Sequence, residues 1–265
     1  MRVRPSAVAG QFYPRDPFAL RQSVEDLLAA AVTTGDESPS RPRAVIVPHA
    51  GYIYSGPIAA SAYSRLAQWT SEIERVLLIG PAHRVPVEGL ALSTAEAFET
   101  PLGLVTIDRN ACAEALNLPD VQEHDLAHRD EHSLEVQLPF LQVVLPEASI
   151  LPVLAGRGAT PSMIARLLDL FLDRPGWVAV VSSDLSHFHA ADVCRQLDAE
   201  TTQAIERLAD HELNSHRACG HIGIRGLLQT ARKRHWHVTT IDLRHSGDTG
   251  GGRDSVVGYG AYVVC

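Results

Sequence analysis

The sequence predicts a single α/β domain over residues 1–265, with a central, mainly parallel sheet flanked by helices. Three observations carry that prediction. The runs AVIVP, RVLLIGP and WVAVVSS are continuously apolar and rich in β-branched residues, the pattern of strands buried on both faces. Segments of helical periodicity, long enough to cross over a parallel sheet, separate these runs. No linker, internal repeat or low-complexity tract interrupts the alternation, and the length suits one hydrophobic core.

The elements come in this order. Residues 18–32 read as a helix opened by Asp16 and Pro17, and the polar stretch TTGDESPSRP after it reads as an exposed loop. AVIVPHAG is a strand stopped by Pro48, followed by an Ala-rich helix over 57–67. RVLLIGPAH is a second strand. GLALS and LGLVTID are shorter strands on either side of a turn-like AEAFETP. Helices are expected over 108–116 and 133–145, the latter kinked or restarted at Pro139. SILPVLAG, a helix over 161–172 and WVAVVSSD continue the pattern. A long polar-faced helix over 192–210, a helix over 220–234 and two closing strands, HVTTIDL and VVGYGAYVV, complete it. The strand order is not encoded in any of these runs.

Composition narrows the function. Lys plus Arg total 23 against 31 Asp plus Glu, a formal net charge of −8, which is not the footprint of a nucleic-acid binder. No apolar run is long enough to span a membrane, and the N-terminus has no signal-peptide core, so a cytoplasmic protein is expected. The 4 Cys include no CxxC pair, which argues for reduced thiols and against a zinc ribbon. Lys233 is the only lysine and sits in the helical stretch ARKRH, so a phosphate-binding loop is absent and Schiff-base chemistry is disfavoured. There is no GxSxG elbow, no HExxH, and no GxGxxG after the early strands. What stands out is the 13 His.

Three strands end in groups that bind metals or move protons. AVIVP runs into His49, VLLIGPA into His83, and VAVVSS into Asp184 and His187. In open α/β sheets the carboxyl ends of strands border the ligand crevice. A single His at such a point is commonly a hydrogen-bonded loop residue, but several arriving from separate strands resemble the way mononuclear metal sites are assembled. Cys219 stands where a helix begins, a place that favours the thiolate. His124, His128 and His132 recur every four residues, compatible with one helix face or with a solvated loop. Asp130, Glu131 and Ser133 are capping candidates for the helix after them. Tyr52, Tyr54 and Phe188 read as core or loop aromatics, or as one wall of a ligand pocket. His221 is left undecided, and the remaining His are expected on the surface or in loops.

The motifs VPHAGYIYSGPIAASAY, LIGPAH, DEHSLEVQLPF, VVSSDLSHF and ACGHIG, in that order, together resemble the Memo family. The N-terminal VAGQFYP and the closing DSVVGYGAY extend the resemblance over nearly the whole chain. It implies the fold of the class III extradiol dioxygenases, the LigB-like enzymes. It also implies a metal pocket in which His49, His83 and Cys219 are ligands and His132, Asp184 and His187 line the site. Arg84 departs from many relatives. Fe(II) is the expected metal, with copper or zinc as alternatives, because a thiolate in place of the usual carboxylate keeps the ligand charge but is softer. His187 or His132 then serves as acid/base in a dioxygenase-like oxidoreductase. The alternative reading is a non-catalytic module that binds a metal or a peptide, or an accessory component of an AmmeMemoRadiSam system. The partners implied are a small-molecule or peptide ligand, an AMMECR1-like protein and a radical SAM protein.

Overall fold

A computed structural model describes residues 1–31 and 40–265. The stretch expected as a polar loop after the first helix lies for the most part outside the described residues. In chain order the elements are β1 (Val3–Arg4), α1 (Pro17–Ala29), β2 (Ala44–Val47), α2 (Tyr52–Ala67), β3 (Arg75–Pro81), β4 (Leu90–Leu92), β5 (Ala97–Thr100) and β6 (Gly103–Thr106). Then come α3 (Arg109–Ala115), β7 (Val121–Glu123), α4 (Asp125–Arg129), a 3-10 turn (Glu135–Gln137), α5 (Leu138–Val144), β8 (Ser149–Ala155), α6 (Pro161–Phe171) and β9 (Trp177–Ser182). The chain closes with β10 (His187–His189), α7 (Ala191–Glu206), a 3-10 turn (Asp210–Glu212), α8 (His221–Arg234), β11 (Val238–His245), α9 (Ser246–Thr249) and β12 (Val256–Val264).

The main sheet runs β10-β12-β2-β9-β3-β8-β4-β7, with β11 also paired to β12. Its centre, β2-β9-β3-β8, is parallel throughout, and β12 and β4 join on either side antiparallel. The central strands are buried along almost their whole length, which is why their sequences read as unbroken apolar runs. α8 packs on β3, β9 and α6, while α2 lies against β2, β11 and β12. The expected α/β architecture is therefore present, with antiparallel strands added outside its parallel centre.

Several local expectations hold for the reasons given. Asp16 caps α1 by accepting from the Ala19 amide at 2.9 Å, and Pro17 occupies the first turn, where its missing N–H costs nothing. Pro139 falls in the first turn of α5, so the segment over 133–145 becomes a 3-10 turn and a fresh helix instead of one rod.

Others are corrected. AEAFETP is not a turn: Ala97 and Phe98 are buried, and β5 pairs with β6 and β1 in a small second sheet. α2 begins at Tyr52, well before Pro57, because Gly51 caps it and the Tyr52 amide is tied to the Phe12 carbonyl at 2.7 Å. The helix expected over 192–210 stops at Glu206, since Leu208 takes a left-handed conformation (φ 56°) that ends it. The trio of His at four-residue spacing shares no helix face. His124 caps the short α4, His128 is buried with Nε2 3.0 Å from the Ala91 carbonyl, and His132 lies beyond the helix.

Candidate metal centre

The parallel order β2-β9-β3 places three site-bearing strand ends side by side. His49 follows β2, His83 follows β3, and Asp184 follows β9. Gly80 permits the last approach: a Cβ there would lie 2.8 Å from Leu134 Cδ2 and from Ser133 Oγ, so only glycine lets the 131–134 segment close over the end of β3. That segment delivers His132. The imidazole centroids of His49, His83 and His132 are 4.8 to 5.5 Å apart. One ligand nitrogen from each ring lies within 4.8 Å of the other two, and among the described residues no other set of three metal-binding side chains meets this condition.

The back of two of these rings is fixed by hydrogen bonds that also settle the tautomer. Ser182 Oγ donates its single proton to the Ser133 carbonyl at 2.6 Å and accepts from Gln137 Nε2 at 2.9 Å. Its contact with His49 Nδ1 at 2.8 Å must therefore receive a proton from the imidazole, leaving His49 Nε2 as a bare lone pair. Gln137 is held in turn by the Tyr63 hydroxyl, which donates to Oε1 at 3.0 Å. His83 Nδ1 faces Glu131 Oε1 at 2.9 Å, and an ionised carboxylate can only accept, so Nδ1 carries a proton and the neutral ring presents Nε2 as its ligating lone pair.

His132 differs. Its Nδ1 is buried without a hydrogen bond, 3.3 Å from the same Glu131 oxygen, and its ring stacks on His83 with the tilted Phe12 ring 4.8 Å away. An orphaned nitrogen among converging imidazoles is the kind of donor that a cation satisfies.

Burial sets the charges. It pushes His49 down to about 3, with the charge of His83 adding to it and Glu131 opposing, and it takes His132 down to about 4. Both rings are therefore neutral at physiological pH, the form that binds metal. For Glu131 burial acts upward but is overridden by the His83 hydrogen bond and charge and by backbone amides, which hold it at about 2. Asp184 accepts from the His49 amide at 2.7 Å, and burial raises its carboxyl despite that bond and the neighbouring imidazoles.

Cys219 Sγ lies 3.3 Å from His49 Nε2, so the resting contact is a thiol donating to that lone pair. Burial, with the charge of Asp184, pushes the thiol up to about 12. The expectation that a helix N-terminus favours the thiolate is thus reversed, because Cys219 precedes the Gly220 cap of α8 and desolvation outweighs the dipole. A bound cation would invert the balance, since a coordinated thiol loses its proton. His187 stands on β10, where it interacts electrostatically with Asp184, next to Phe188, which is exposed and left-handed (φ 61°). A cavity of about 220 Å³ adjoins the cluster, walled by His83, Ser182, Cys219, His221, Ile79 and Val181.

Of the six site residues named from the sequence, His49, His83 and His132 converge, Cys219 contacts His49, Asp184 bonds the His49 amide, and His187 interacts electrostatically with Asp184. Sequence reasoning assigned Glu131 only a capping role and gave Ser182 and Gln137 none. The signal that could have found them is their position, an acid beside His132 and a polar residue at the end of a buried strand. Two His expected on the surface or in loops are instead buried, His128 at 2% and His245 at 1% exposure.

Comparison with known proteins gives one family. The family model described as Memo-like protein matches residues 4–263. A MEMO1 family protein of Ignicoccus hospitalis is 37% identical over 281 residues, covering 98% of both chains. Another, from Aquifex aeolicus, is 35% identical over 270 residues, again covering 98% of each. A crystal structure of an uncharacterized protein from Escherichia coli K12 aligns over 83% of this chain and 99% of its own, at 14% identity and a TM-score of 0.46.

Proposed function

This chain belongs to the Memo family, and from that premise and the donor set at the sheet end we propose a mononuclear metal centre serving oxidoreductase chemistry of the extradiol type on a small molecule. The observation that carries the reading is the convergence of His49, His83 and His132, with the Nε2 lone pairs of His49 and His83 bared by their partners. The donors fit a first-row metal. Neutral imidazoles suit iron, copper or zinc, and a nearby thiol adds a soft ligand that a hard cation does not require. Fe(II) is our choice, with His49, His83 and Cys219 as ligands and His132 facing the same ion. When bound, such a metal supplies Lewis acidity and one-electron chemistry.

The residues of the chain do the rest. Glu131 and Ser182 orient the imidazoles. Asp184 pins the His49 backbone by accepting from its amide. His187 and His132 exchange protons with a ligand held at the centre. The fold buries His49 and leaves His83 partly open to solvent.

A second reading, a binding module without turnover, is favoured by the exposed side chains Phe188 and Ile53, at 77% and 67% exposure. On that reading the centre serves a peptide, an AMMECR1-like protein or a radical SAM partner. One experiment separates the two: anaerobic loading with Fe(II), metal analysis, then oxygen uptake with a panel of catechols and small phenols. Stoichiometric iron with turnover supports the enzyme. Bound iron without turnover leaves the module, and absence of binding for Fe(II), Cu(I) and Zn(II) removes the metal centre. No described helix is long and apolar enough to cross a membrane.

A further inference from the structure

Glu131 is buried, with 1% of its side chain exposed, and every partner it has is a donor. Oε2 accepts from the His83 amide at 2.6 Å. Oε1 accepts from His83 Nδ1 at 2.9 Å, from the His132 amide at 3.0 Å and from the Ser133 amide at 2.9 Å. The carboxylate therefore grips residue 83 twice, by backbone and by ring, and holds the turn that carries His132. A glutamine in its place has the same size but one acceptor oxygen. Its NH₂ would face the donors that Oε1 or Oε2 now satisfies, and a buried donor facing a donor is costly.

The contrast with Glu135, four residues on, is informative. Glu135 is also fully buried, but it accepts from the Tyr13 hydroxyl and the Ala7 and Val8 amides and pairs with Arg4. None of these partners is a ligand candidate. One carboxylate builds the scaffold and the other faces the centre.

We infer that Glu131 is the positioning residue of the metal centre: it selects the His83 tautomer that leaves Nε2 free and locks two imidazoles in register with each other. This rests on the metal-centre reading above. The consequence is an affinity effect without loss of a ligand, of the size outer-shell carboxylates commonly exert, roughly 10–100-fold.

The test compares the full chain with Glu131→Gln and Glu135→Gln, using Co²⁺ and Zn²⁺ as probes. Titration by competition with a chromophoric chelator should show E131Q binding both ions about 10–100-fold more weakly than wild type. E135Q should bind as wild type does, although it melts at a lower temperature. Affinity in E131Q equal to wild type overturns the inference while leaving the metal centre standing. Failure of the wild type to bind either ion, with Fe(II) and Cu(I) also failing to bind under anaerobic conditions, overturns the metal centre, and this inference with it. A second measurement does not depend on the variant folding. Long-range ¹H–¹⁵N correlation on the metal-free wild type should find the His83 proton on Nδ1, and a proton on Nε2 overturns the inference directly.

Discussion

Two of the places where the molecule buries histidine differ in what surrounds the ring. At the sheet end, His49 and His83 are tied from behind by Ser182 and Glu131, and with His132 their free nitrogens meet within 4.8 Å. At the far end of β11, His245 is as deeply buried, yet its Nε2 has no hydrogen bond and its Nδ1 has only the Asp248 carboxylate at 3.2 Å. A cavity of about 250 Å³ adjoins it, bordered by Asp198, Arg195 and Arg244, and among the described residues no set of three donors converges there. Burial of a polar ring is therefore not what distinguishes a site. What distinguishes this site is that three rings bring a nitrogen each to one place, two of them held from behind by hydrogen bonds.

The largest expected effect tests that difference directly. His83→Ala should weaken Co²⁺ binding by more than the roughly 10–100-fold that loss of an outer-shell partner produces. His245→Ala should leave both stoichiometry and affinity unchanged. A His245→Ala protein that loses an equivalent of bound metal by elemental analysis would break the comparison.

Acid stability should sharpen it. His49, His128 and His132 are held to about 3, 4 and 4 in the fold but titrate near 6.5 when unfolded. Below pH about 6.5 the unfolded chain thus binds more protons than the native one, so stability falls as pH falls. Each ring contributes a slope of up to about 1.4 kcal/mol per pH unit until its folded pKa is reached. Urea unfolding of the metal-free protein between pH 6.5 and pH 4.5 should show this slope, and His49→Gln should flatten it. A profile unchanged in His49→Gln would mean that this ring is not held neutral by burial.

The smallest effect concerns Cys219. A thiol pushed up to about 12 keeps its proton at neutral pH, so ligation must release it. Zn²⁺ binding followed in weakly buffered solution at pH 7 should liberate about one proton more from wild type than from Cys219→Ala. Equal release from both would show that the thiol stays outside the coordination sphere, leaving the three imidazoles as the ligand set.

Much of the fold and the site was legible in the residues. Continuous apolar runs marked the central strands, because burial on both faces removes any alternation. Residues placed just past those runs, His49, His83 and Asp184, were identifiable because a rigid strand fixes the position of the residues at its end. Less legible were β5 and β10, whose short runs gain strand geometry only from the partners they pair with. His245 was missed for the same reason: nothing within β11 records that α7 and α9 cover its end.

The sequence by itself determined the fold class, the family and the chemical types of the donors, since periodicity, motif order and residue identity are local properties of the chain. Tertiary structure alone decided the adjacency β2-β9-β3, the tautomers of His49 and His83, and the role of Glu131. Each of those depends on contacts between segments distant in sequence. His49 meets Ser182 across 133 residues, and His83 meets Glu131 across 48. Composition counted the histidines, but only packing could choose which nitrogen each of them presents.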